Sequence, residues 1–238
     1  MPMSVRLRSG SQRMSRRGGH GVILAFAMGA GVAVLAVMLA LVLRWPAASS
    51  ATDAPSVPIS VGGLVFNVPP AAIRFALQRR AGEQSRLDLV FLWPALVPPD
   101  PAAKPVASED PPAFDRLFVT IAALDDALGP AERIRTIYPR YFDFGRFAGP
   151  DGLLVIRFRE GTPYQAEDLF YDPAAPDRFV VRCSRPGAGP TPGICLFERR
   201  LADAADVTVR FPREWLSDWR QVSAGIERLI ASLRPSSS

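Results

Sequence analysis

The sequence predicts an α+β protein: an N-terminal transmembrane helix, then a mainly antiparallel sheet packed against a C-terminal helix. Three observations carry that expectation. Val22 to Leu43 runs for twenty-two residues without a charge. Between residues 58 and 212, short alternating or apolar runs are punctuated by Gly, Pro and Asp. From Leu216 to Leu233, apolar residues return at helical spacing.

As a helix, the uncharged run reaches about 33 Å, enough to cross a hydrocarbon core of roughly 30 Å. Its glycines weaken a soluble helix but are common in membrane spans. Arg6, Arg8, Arg13, Arg16 and Arg17 precede it, only Arg44 follows closely, and no acidic residue comes before Asp53. The positive-inside rule therefore makes 1–20 a cytoplasmic basic tail, 21–43 the span and the remainder the exported part. A cleaved signal peptide, processed near "PAASSA", is the competing reading; the apolar run exceeds the roughly 7–15 residues of a signal core, which favours an uncleaved anchor. Ala25, Gly29 and Ala33 are spaced to let a second helix approach, but small residues abound throughout the span.

This topology also explains the charge. The chain carries 28 Lys plus Arg against 23 Asp plus Glu, and six of the basic residues lie at or before Arg44. The exported part thus has 22 basic and 23 acidic residues, so the excess of positive charge belongs to the anchor and nucleic-acid binding is excluded. Lys104 is the one lysine, and the Arg, Ala and Pro bias points to a GC-rich bacterial genome. The compartment implied is the periplasm, reached from the inner membrane.

Residues 44–57 read as a linker of Pro, Ala and Ser, and 58–235 as one periplasmic α+β domain. "ISVGGLVFNV" predicts two strands around the turn dipeptide Gly62-Gly63. "PPAAIRFALQRR" predicts a short helix and "RLDLVFLWP" a strand. Seven prolines between 94 and 112 rule out regular structure there and mark a long loop, the expected site of proteolysis. "FDRLFVTIAALD" reads as a strand, and "GPAERIRTIYPRYF" as a short helix opening at Pro130. "GLLVIRFRE", "EDLFYD", "DRFVVRC", "ICLFERRL" and "DVTVRF" complete a set of about nine strands. The final helix takes Ser217 as its N-cap and stops at Pro235; Gly225 within it costs about 1 kcal/mol relative to Ala.

Cys183 and Cys195 are the only cysteines. In an oxidising compartment they read as a disulfide. Folding the flanking strands so that the two face each other sets Val181 against Phe197, with Phe179 on the same face, so alternation and register agree. Zinc lacks a second pair of ligands, and a redox role lacks the Cys-x-x-Cys spacing.

The only histidine is His20, on the cytoplasmic flank. Histidine-dependent triads and histidine metal sites are therefore excluded from the exported domain. No cofactor motif and no metal-ligand set is visible. Glu160, Glu167, Asp168 and Asp172 lie close in sequence, and a pair of them would suffice for glycoside hydrolysis; against that, carboxylates at strand ends and turns are ordinarily solvated. The remaining cluster is "IYPRYFDFGRF", where Tyr138, Tyr141, Phe142, Phe144 and Phe147 interleave with Arg140 and Arg146, the pairing that dominates binding hot spots; Tyr138, Arg140, Tyr141, Phe142 and Arg146 are the candidate partner-binding residues. The rival view has those aromatics pinning a loop to the core.

The segment "ISVGGLVFNVP" behind a hydrophobic N-terminus, the Cys-loop-Cys hairpin and the amphipathic "LSDWRQVSAGIERLI" together resemble small membrane-anchored or exported proteobacterial proteins of uncharacterised function. The resemblance implies export and the disulfide, and transfers no catalytic residue. The expectation is a single-pass, non-enzymatic protein that binds an envelope or effector protein partner. The alternatives are a carboxylate-based cell-wall or glycan hydrolase, and an assembly subunit.

Overall fold

The structure, a computed structural model, describes residues 55–102, 115–187 and 193–235. The predicted tail, span and most of the linker lie outside those residues, as do 103–114 of the Pro-rich loop. Among the described residues no helix is long and apolar enough to cross a membrane.

Among the described residues eleven strands form two sheets. The hairpin β1 (Val57–Val61) and β2 (Leu64–Val68) turns on Gly62 and Gly63, with φ of +59° and +81°. Two consecutive residues of positive φ make the turn whose twist suits a hairpin, and glycine takes both without steric cost. The short β3 (Gly82–Glu83) joins β1 in parallel, making a three-stranded sheet of order β2-β1-β3.

The larger sheet takes β4 (Arg86–Leu92), β5 (Arg116–Ala123), β6 (Phe142–Ala148), β7 (Leu154–Phe158), β8 (Glu167–Tyr171), β9 (Val180–Ser184), β10 (Ile194–Leu201) and β11 (Ala205–Pro212). Its spatial order is β4-β5-β11-β10-β9-β8-β7-β6, antiparallel throughout. From β6 to β10 it is a meander. β11 then returns beside β10 and seats β5 and β4 beyond it.

One face of this sheet builds the main core. Leu87, Leu89, Val119, Ile121, Val207, Val209, Phe211, Phe197 and Val181 alternate inward and are buried beneath the β1–β2 hairpin and the helix α1 (Trp219–Leu233). Each apolar side chain of that size contributes about 1.5–3 kcal/mol on leaving water. Trp219, Val222, Ile226, Leu229, Ile230 and Leu233 are the buried stripe of α1, which is the predicted period. The opposite face is covered near β7–β9 by a second cluster centred on Tyr138, Phe158 and Leu169.

Four expectations change. Residues 70–78 form two 3₁₀ turns, Pro70–Ala72 and Ala76–Gln78, in place of a helix. Between them the chain stays extended, because Ile73 bridges to Leu89 and the Arg74 amide donates to the Asp88 carbonyl at 3.0 Å. The helix opening at Pro130 holds α geometry only to Glu132, widens into a π coil over Arg133–Ile137 and tightens into a 3₁₀ turn over Tyr138–Tyr141; Pro139 has no amide to continue the ladder. Ser217 does not cap α1: a 3₁₀ turn, Arg213–Asp218, leads straight into the helix and the Ser217 hydroxyl donates to the Glu214 carbonyl. Finally, "FDFGRFA" is itself a strand, β6, at the sheet's edge.

Candidate functional site at the free sheet edge

The Cys183–Cys195 disulfide is formed. The two are direct ladder partners of β9 and β10, flanked by Phe197 against Val181, and both are fully buried. The bond therefore fastens the middle of the sheet.

The two edges of that sheet are treated differently. Along β4, Gln78 Oε1 accepts from the Asp88 amide at 3.0 Å, the Arg74 amide donates to the Asp88 carbonyl, and the Leu92 amide donates to the Val97 carbonyl at 2.8 Å. Asp88 itself is buried, and its carboxylate accepts from Arg86 Nε and Nη2, both at 2.8 Å, from Thr120 Oγ1 at 2.9 Å and from Gln78 Nε2 at 3.2 Å. The Arg86 hydrogen bonds, opposed by burial and helped by Thr120 and Gln78, hold the Asp88 carboxyl down at about 2. This edge is capped by the chain's own backbone and side chains.

The β6 edge carries no such cover among the described residues. Among the described residues, β7 is the only strand paired with it, and its register shifts between Phe142 and Arg146. Phe144 is 97% exposed and Phe147 40%. Arg140 and Arg146 are exposed, while Tyr141 and Phe142 are half-buried. Tyr138 is buried, its ring edge-on to Phe158 at 5.8 Å and to Tyr164 at 5.1 Å. Burial, partly offset by the nearby Arg182 charge, pushes its hydroxyl above the usual tyrosine range. Tyr141 lies 5.7 Å from Tyr164, and Phe142 lies 5.3 Å from Phe158. The aromatic-arginine cluster thus divides: Tyr138, Tyr141 and Phe142 pack beneath the strand, Arg140, Phe144 and Arg146 are exposed, and Phe147 turns to the face of Val155. Phe144 has the parity of Phe142, so plain alternation would turn it inward. The register shift between Phe142 and Arg146 breaks that period.

On the inner side of β6 a cleft of about 640 Å³ opens where α1 no longer covers the sheet. Phe147, Arg157, Asp168, Phe170 and Arg213 line it. The Arg157 guanidinium stacks 4.4 Å from the Phe147 ring centroid and that of Arg213 4.7 Å from Phe170. Asp168 is buried, accepting from Arg185 Nε at 2.9 Å and Arg213 Nη2 at 2.8 Å. Arg213 Nη1 also donates to the Ser184 carbonyl at 2.9 Å. Glu214 also lines the cleft, so its charged lining, Arg157 and Arg213 with Asp168 and Glu214, balances.

The four carboxylates considered for hydrolysis stand in different surroundings. Glu167 and Asp168 are consecutive on β8, so their side chains leave opposite faces of the sheet. Glu167 stands 3.1 Å from Arg182 Nε; burial pushes its carboxyl up, Arg182 pulls it down and Glu198 adds to the rise. Asp172 accepts from the Ala174 amide within a turn. Glu160 is exposed in the bend after β7. Among the described residues no group of three or more His, Cys, Asp or Glu is placed to hold a metal.

The chain matches no protein-family model and no curated protein. Its fold is similar to that of an immunity protein of the Stenotrophomonas maltophilia type IV secretion system, with a TM-score of 0.52 at 15% identity over 76% of this chain and 94% of that one. The iron-regulated outer membrane lipoprotein FrpD of Neisseria meningitidis aligns more loosely, with a TM-score of 0.42 at 8% identity over 78% of this chain and 94% of that one.

Proposed function

We propose that this is a non-enzymatic, partner-binding protein of the bacterial envelope. Residues 21–43 anchor it in the inner membrane with the N-terminus in the cytoplasm, and 58–235 work in the periplasm, where they bind an envelope or effector protein. The observation that carries the binding reading is Phe144, an aromatic ring almost wholly in water on an uncovered strand edge, flanked by the exposed Arg140 and Arg146. Aromatic and arginine side chains are the residues on which protein interfaces concentrate their energy, and a bare edge strand is a hazard unless something covers it. The role of the Stenotrophomonas protein of similar fold, an immunity protein, is in keeping with this reading. The buried disulfide is in keeping with an oxidising compartment.

The test is crosslinking in intact cells followed by purification of the full chain. One specific protein partner, lost from Phe144→Ala/Arg146→Glu while the melting temperature stays unchanged, supports the reading. Recovery of no specific partner contradicts it.

A further inference from the structure

We infer that the partner reaches this protein as an extended, acidic segment that adds to β6 as a ninth strand of the large sheet. The inference rests on the partner-binding reading above and specifies its geometry and chemistry. A free strand edge presents a row of amides and carbonyls at the spacing that another extended chain satisfies. In this domain the opposite edge has that row taken up by Gln78, Arg74 and Val97, so among the described residues one edge is closed and the other open. β6 has no Pro and no Lys, and beyond its register shift Arg146–Ala148 pairs regularly with β7, which makes that stretch the place where a strand would add.

Charge selects the occupant. Arg140, Arg146 and Arg157 stand on or beside β6 and have no carboxylate within ion-pair distance among the described residues. Arg146 shares the face of Ile156, its ladder partner, whereas Phe147 and Arg157 share the face of Val155. An added strand therefore meets a cation on each face. Of the neighbouring carboxylates, Asp151 is paired with Arg220, while Asp143 accepts from the Phe144 amide and keeps its charge, so three arginines outnumber one anion along this edge. A second copy would bring an edge of the same net positive charge, Arg140, Arg146 and Arg157 against Asp143, and two such edges repel. An acidic segment of a different protein fits where a copy does not.

The experiment installs a photo-crosslinker in the full-length chain in cells, as Phe144→p-benzoyl-phenylalanine, and separately at the opposite edge as Leu77→p-benzoyl-phenylalanine, Leu77 being 88% exposed. The expected product joins residue 144 to a segment of another protein rich in Asp and Glu, and Arg140→Glu/Arg146→Glu lowers its yield by about tenfold. A synthetic peptide of that segment binds the full-length protein, and its backbone N-methylated form binds about tenfold more weakly, because main-chain bonds carry strand addition. Crosslinks from 77 but none from 144 overturn the strand while leaving the partner reading intact. Crosslinks from 144 only to a second copy, or a methylated peptide that binds equally well, also overturn it. No product from either position defeats the partner reading and the strand together.

Discussion

The indole of Trp93 occupies the space beside the α-carbon of Gly225: a Cβ on residue 225 would stand 2.7 Å from Cζ3 of Trp93 and 3.2 Å from its Cη2. A glycine in the middle of the best-formed helix is thus a packing requirement. Trp93 in turn stacks on Trp215 at 5.1 Å, and Trp215 on Phe211 at 6.2 Å. The contact joins α1 to the end of β4 and to the exit of β11.

Gly225→Ala sets two effects against each other. Helix propensity gains about 1 kcal/mol, whereas forcing a methyl into a filled site costs about 1–3 kcal/mol. The expected outcome in urea denaturation is a net loss of about 1 kcal/mol, overpacking outweighing propensity. In a Trp93→Leu background the same substitution should turn stabilising, since the obstructing ring is gone.

Removing the disulfide should lower stability by about 3 kcal/mol, the loop-closure term for a loop of this length. Cys183→Ala, Cys195→Ala and the double variant should share one denaturation midpoint, and wild-type protein in reductant should fall close to it. Unequal single variants would mean that burial of one sulfur, rather than the cross-link, sets the effect.

Asp88 ties stability to acid pH. Its carboxyl titrates near 3.8 when unperturbed and at about 2 in the fold. A depressed folded value means that the contribution is complete above the unfolded value and disappears as the pH falls from about 4 towards 2. Asp88→Asn should therefore melt below wild type at neutral pH, and the gap should close on acidification through that window. A gap that stayed constant down to pH about 2 would remove Asp88 from the acid response.

The two halves of the aromatic-arginine cluster should separate in thermal melts. Tyr141→Ala removes the ring tilted against Tyr164 and should cost about 2–4 kcal/mol, in the range of buried large-to-small changes reduced for partial exposure. Phe144→Ala and Arg146→Glu should stay within about 0.5 kcal/mol of wild type, as surface substitutions do. Equal destabilisation by Phe144→Ala would make that ring a packing residue and remove it from the binding face.

What the sequence disclosed followed from strong local patterns. The register Cys183–Cys195 with Val181–Phe197 was legible because alternation on both strands and the cysteine pair demand the same pairing. The stripe of α1 was legible because six apolar residues, Trp219 to Leu233, repeat with one period. Three features depended on distant neighbours and were not. The chain at 73–75 stays extended for the sake of Leu89 and Asp88, against its local helical pattern. Ser217 loses its cap role to a turn set by the exit of β11. At β6, Gly145 and the shifted register break the alternation, so the strand was seen only as a cluster of aromatics and arginines. That cluster holds inward Tyr138 together with outward Arg146, and nothing local in it marks Phe144 as the most exposed ring of the group.

The central claim is that this domain meets its partner outside the cytoplasm, held there by residues 21–43. The most direct measurement fuses alkaline phosphatase, or separately green fluorescent protein, after Ser238 of the full chain and compares the two in intact cells. The account predicts phosphatase activity without fluorescence. Fluorescence without phosphatase activity would place the domain in the cytoplasm and contradict the compartment and the partner class together.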